Sequence, residues 1–127
     1  MENGISFAVE STLSGSYLVK YIQKAKNYGY KTNLTYVFLD QPMMNLLRVK
    51  ARVRTGGHNV PEEDIIRRYY RSFRNFWHKY KDIVDTWEIY YNGGNDFDLI
   101  AKYISEEIEI LDEQLYNTFK EILENEC

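Results

Sequence analysis

Residues 34–39 read LTYVFL, a run in which only Thr35 is polar and β-branched or aromatic side chains fill the centre. That pattern predicts a strand covered on both faces. A shorter apolar run at residues 5–9 breaks into the polar stretch from Glu10 to Gly15, as a buried strand running into a turn would. Between the two runs Leu18, Tyr21, Ile22, Ala25 and Tyr28 recur at helical spacing. Ser14 or Ser16 can cap this helix, and Gly29 stands where a left-handed residue would end it. Strand, helix, strand in that order implies a parallel βαβ unit with a right-handed crossover. The expected class is therefore α/β, with a short, mainly parallel sheet.

Downstream, residues 41–54 return to helical period, with Met43, Leu46, Leu47, Val49 and Val53 on one side and Arg48 and Arg52 on the other. Gly56-Gly57 breaks that helix, and Pro61 suits the first turn of the next, where Glu62, Glu63 and Asp64 complement the positive helix end. On this second helix Ile65, Ile66, Tyr69, Phe73, Phe76, Trp77 and Tyr80 share one side, and Arg67, Arg71, Arg74 and His78 the other. Glu63 with Arg67 and Asp64 with Arg68 are spaced as four-residue ion pairs. Residues 86–91 alternate as a further strand, followed by an Asn92-Gly93-Gly94-Asn95 turn. Residues 97–104 and 108–111 read as a hairpin about Ser105-Glu106-Glu107, and Asp112 caps a last helix running to about Leu123.

A chain of 127 residues fits one domain. A hydrophobic content of 44% with 16% aromatics predicts a packed core and argues against disorder. The single cysteine, Cys127, leaves no intrachain disulfide, and His58 and His78 lack companions at metal-ligand spacing. No run has the length of a membrane span and no basic region precedes the first apolar residues, so a cytoplasmic location is expected. Charge is segregated: residues 41–81 hold ten basic and three acidic side chains, residues 82–127 two and thirteen. A basic middle against an acidic C-terminal third points to an anionic ligand at the centre.

The basic middle is densest from Arg48 to Asn75, RVKARVRTGGHNVPEEDIIRRYYRSFRN. Guanidinium groups match phosphate oxygens in fork geometry, so arginines on two helices flanking a diglycine loop suggest a phosphate clamp. No GxxxxGK(S/T) loop accompanies it. The string RVxxRVxxGGHxVPExxIxRRYxRSxxN resembles the lid segment, here about residues 41–81, of the zeta-toxin-like P-loop kinases. Phe7-Ala8-Val9-Glu10-Ser11-Thr12-Leu13-Ser14, Ala25-Lys26-Asn27-Tyr28-Gly29-Tyr30 and Tyr90-Tyr91-Asn92-Gly93 resemble other family segments in the same order.

The resemblance implies a three-layer P-loop-kinase-like fold and transfer of the ATP γ-phosphate, with Mg²⁺, to a nucleotide sugar such as UDP-N-acetylglucosamine. It implies phosphate-binding roles for Arg48, Arg52, His58 and Arg71, sugar-side roles for Glu10 and Thr12, and an adenine-side role for Asn92. Tyr91 and Gly93 depart from the family's late-strand aspartate and serine. In the family the phosphate loop, its lysine and the activating acid precede the strand expected at residues 5–9. The chain is therefore expected to be the C-terminal portion of such a kinase, inactive alone, with no resident metal and no tight hold on ATP or Mg²⁺. The gap left by the missing strand would close by direct pairing, by a complementing chain or by a homodimer. The alternative from another class is a polyanion or nucleic-acid binding module, or a non-catalytic protein-interaction remnant; the acidic C-terminal third and the lack of a nucleic-acid motif weigh against nucleic acid.

Overall fold

The computed structural model describes residues 6, 8–9, 11, 13, 15–39, 62–93 and 96–124. Over these the order is α1 (Leu18–Asn27), β1 (Asn33–Phe38), α2 (Glu62–Asn75) continuing into one π-helical turn (Phe76–Tyr80), β2 (Thr86–Asn92), β3 (Phe97–Ile104), β4 (Glu107–Ile110) and α3 (Glu113–Glu124). The class is mixed α/β, as expected.

Local signals in the chain account for several element ends, although α1 begins after Tyr17 with no side-chain cap rather than with the serine cap expected. Gly29 ends α1 at φ 84°, the left-handed conformation that glycine adopts without steric cost, and its N–H bonds the Lys26 carbonyl. Ser105 and Glu106 both take positive φ, 56° and 64°, which is what a two-residue type I′ hairpin turn demands. Asp112 accepts a hydrogen bond from the Leu115 N–H at 3.0 Å and starts α3.

The four strands form one sheet in the order β1-β2-β3-β4. β1 lies parallel to β2, with Tyr36 opposite Ile89 and Phe38 opposite Tyr91, while β2–β3 and β3–β4 are antiparallel. The sheet is thus mixed and mainly antiparallel among the described residues, not mainly parallel. The reason is connection length: the two-residue turn at Ser105-Glu106 can join only antiparallel neighbours, whereas the parallel pair needs the long excursion through α2. The βαβ unit is β1–α2–β2, one step later than the sequence pattern suggested.

The strand expected at residues 5–9 is not found in its described part. Ser6, Ala8 and Val9 are exposed and lie in no strand. Just downstream the chain bends: the Ser11 hydroxyl accepts from the Leu13 N–H at 3.1 Å, and Leu13 sits at φ 57°. β1 also differs from expectation, being covered on one face only among the described residues. Tyr36 and Phe38 are buried, while Val37 is 43% exposed and Asn33 and Thr35 point with it to the open side.

The buried face carries the core. Tyr36 stacks on Phe76 at 4.8 Å, Phe119 of α3 meets Tyr36, Phe38 and Phe73 at 5.2–6.0 Å, and Trp87 meets Phe76 edge-on at 5.6 Å. Leu18 of α1 joins the same cluster, so the described helices and the sheet pack around one core in two layers. The expected aromatic side of α2 is this core side: Ile65, Tyr69, Phe73, Phe76 and Tyr80 are all buried. Among the described residues no helix is long and apolar enough to cross a membrane.

Candidate functional site

The carboxyl ends of a parallel strand pair are the usual ligand edge of an open α/β sheet, because loops and helix ends converge there. Here that edge is formed by Phe38-Leu39 and Tyr91-Asn92. α2 is fastened to it by Tyr69, which is buried on the helix and donates its hydroxyl proton to the Leu39 carbonyl. The Phe38 ring completes the joint, meeting Phe73 of α2 at 5.7 Å and Tyr91 of β2 at 5.4 Å. Arg67, Arg68 and Arg71 flank Tyr69 in sequence, with Arg67 and Arg71 on the side of α2 away from the buried Tyr69.

Arg71 is half-buried on α2. Arg67 is held by Asp64 one turn earlier, a three-residue pair in place of the four-residue pairs the spacing suggested. Among the described residues no carboxylate lies within ion-pair distance of Arg71, whose fork of donors is therefore not spent on a described acid. Asn92 ends β2 and is only 9% exposed. Gly93 follows it, exposed; a Cβ there would lie 3.0 Å from the Tyr91 ring, which would have to give by a few tenths of an ångström. Arg71 and Asn92 belong to different elements, and among the described residues no hydrogen bond or ion pair joins them. Glu10, Thr12, Arg48, Arg52 and His58 lie outside the described residues, as do the predicted helix at residues 41–54, Gly56-Gly57 and Pro61.

Two positioning residues carry no signal that spacing alone reveals. Asn75 is 6% exposed and donates from Nδ2 to the Leu13 carbonyl at 2.6 Å and, more distantly, to Gly15 at 3.4 Å. Tyr80 donates to the same Gly15 carbonyl at 2.9 Å. Together they tie the backbone at Leu13 and Gly15 to the end of α2 and to the π-helical turn. A polar residue closing the string that begins at Arg48 was the available hint. Beneath them, burial pushes the Tyr36 hydroxyl well above the ordinary tyrosine range, opposed only by its 2.6 Å hydrogen bond with Ser72. Ser72 in turn donates to the Tyr69 carbonyl at 2.8 Å, so the Tyr36 hydroxyl is the donor to Ser72 and stays protonated. It supports the helix that bears Arg71. Among the described residues no cluster of acidic, histidine or cysteine side chains could hold a metal ion.

The pattern of the zeta toxin family matches residues 1–102, which is most of the chain. The chain belongs to the zeta toxin family. An uncharacterized protein of Haemophilus influenzae is 40% identical over 65 residues, a stretch making up 51% of this chain and 46% of that protein. The chain thus spans about half the length of the curated relative it matches. No solved structure matches it. Family membership agrees with the resemblance carried by the string from Arg48 to Asn75, whose second half is the described helix α2.

Proposed function

We propose that this chain is one domain forming the lid and acceptor-side portion of an ATP-dependent kinase of the zeta toxin family, with a P-loop-kinase-like arrangement and a nucleotide sugar such as UDP-N-acetylglucosamine as acceptor. The observation that carries the reading is the Tyr69–Leu39 joint, which holds the arginine-bearing helix of a zeta toxin family chain against the carboxyl ends of its parallel strands. In this reading Arg71, with Arg48, Arg52 and His58, binds the phosphates, Glu10 and Thr12 take sugar hydroxyls, and Asn92 lies on the adenine side. ATP with Mg²⁺ is the donor in the cytoplasm. The 127 residues contain no GxxxxGK(S/T) loop, so the reading assigns them phosphate binding, with transfer dependent on a loop supplied from elsewhere.

The test is calorimetric titration of the chain, at concentrations high enough to read the weak binding expected without a phosphate loop, with ATP·Mg²⁺, UDP-N-acetylglucosamine and, as a control for plain charge, heparin. Nucleotide binding that drops about tenfold in Arg71→Ala supports the reading, since a hydrogen bond to a charged group is worth roughly 1.5–3 kcal/mol. Equal affinity in Arg71→Ala overturns the role of Arg71. Binding of heparin with no nucleotide binding replaces the kinase reading by the polyanion module.

A further inference from the structure

Two exposed surfaces outside the proposed site are complementary to each other. The first is the outer face of α1. Tyr17, Tyr21 and Tyr28 are 67%, 39% and 46% exposed, and at 100° per residue they fall within one narrow stripe with Lys20 and Lys24 beside them. The segment from Gly15 to Leu39 holds four lysines and no acidic residue, so this stripe is aromatic and uniformly basic. Tyrosine offers large contact area for little lost side-chain freedom, which is why it is enriched where proteins dock.

The second surface is the β4 edge of the sheet, which no described strand pairs. All four residues of β4 are exposed. Ile108 and Ile110 stand opposite Tyr103 and Ala101 and so continue the core face of the sheet beyond its helices, at 51% and 41% exposure, with Leu111 after them at 49%. Glu106, Glu107 and Glu109 rim them; Lys102 reaches Glu109 at 3.5 Å, and no described cation pairs with the other two. This edge is aliphatic and acidic.

We infer that the basic tyrosine stripe of α1 docks on the acidic β4 edge of a second copy of this chain. Length and charge both fit. The eleven-residue stride from Tyr17 to Tyr28 is about 16 Å along a helix, and the four-residue stride from Glu107 to Leu111 is about 14 Å along a strand. Each surface offers apolar groups at its centre and one sign of charge around them, and the signs are opposite. The contact joins two different patches, so each copy keeps one unused half of the pair and association proceeds beyond a dimer unless the rotation closes a ring. It does not rest on the kinase reading, because neither surface includes Arg71, Asn92 or the ends of β1 and β2.

Sedimentation of the purified chain over a range of concentrations tests it. The expected result is a mass that rises about twofold or more with concentration at low salt and returns to the monomer at about 0.5 M salt, where the charges are screened. Two exposed variants, Lys20→Glu with Lys24→Glu and Glu107→Lys with Glu109→Lys, should each stay monomeric with unchanged circular dichroism. Mixed together they should associate again, since each restores the sign the other lacks. A wild-type chain that is monomeric at every concentration and low salt overturns the proposal, as does self-association that survives both charge reversals. Loss of ATP binding in Arg71→Ala would leave this result untouched.

Discussion

At the scale of single residues the structure depends on a few polar atoms placed where water cannot reach. Asn75 is the clearest. Its Nδ2 donates to Leu13 across 62 residues of sequence, and Leu13 itself occupies the left-handed region that a leucine adopts only when its surroundings compel it. Asn75→Ala leaves the Leu13 carbonyl without that donor and should lower stability by about 1–3 kcal/mol, read from urea denaturation. Because Tyr80 still holds Gly15, the segment should loosen without detaching, and hydrogen exchange should speed up most at residue 13. At this scale the place of Arg71 on the polar side of α2 was legible, since it follows from helical period. The partners of Asn75 and Tyr69 were not, since a side chain that bonds a distant carbonyl leaves no periodic trace.

Elements that are defined by neighbours in sequence were read with good fidelity. Gly29 at the end of α1, the hairpin about Ser105-Glu106 and the Asp112 cap each answer to one local rule, and each forms as that rule requires. The bulge in β3 was not foreseeable: Ile89 pairs with Ala101 but Tyr90 with Leu99, leaving Ile100 as the extra residue, and the alternation from residue 97 to 104 reads equally well without it. Nor was the one-sided burial of β1, since an apolar run shows what could be buried, whereas Val37 stays exposed for want of a covering helix among the described residues. How α3 is held is plainer. Phe119 is fully buried and touches rings from β1, α2 and the π-helical turn, and beside it Lys120 caps the Trp77 ring at 4.0 Å. Phe119→Ala should therefore lower stability by about 3–5 kcal/mol in denaturant titration. The far smaller loss expected from Lys120→Ala, below about 1 kcal/mol, separates ring packing from cation contact.

Over the whole molecule, the step that makes one sheet out of separate halves is the parallel meeting of β1 and β2. Asp85 clasps it: its carboxylate accepts from the Thr32 N–H at 2.7 Å and the Thr32 hydroxyl at 3.0 Å, with Lys26 at 3.8 Å. The Thr32 N–H is the main cause, with the threonine hydroxyl and Lys26 adding to it, and together they hold the carboxyl below its ordinary value of 3.8. A depressed folded value means stability that is present above 3.8 and lost as pH falls through the folded value. Acidification from about pH 6 to pH 3 should thus narrow the stability gap between the native chain and Asp85→Asn, measured by denaturation at each pH. The clasp spans 53 residues, which is why no sequence window shows it.

The same long reach governs how the protein is born. While ribosomes synthesise it, the inward side of Tyr36 and Phe38 can meet the Phe73 and Phe76 rings early, but it has no described sheet neighbour until Ile89 and Tyr91 are made, and its ring cover is not complete until Phe119 follows. The aromatic face from β1 to β3 must wait, incompletely covered, for α3, so a nascent polypeptide of this kind is a natural client for chaperones.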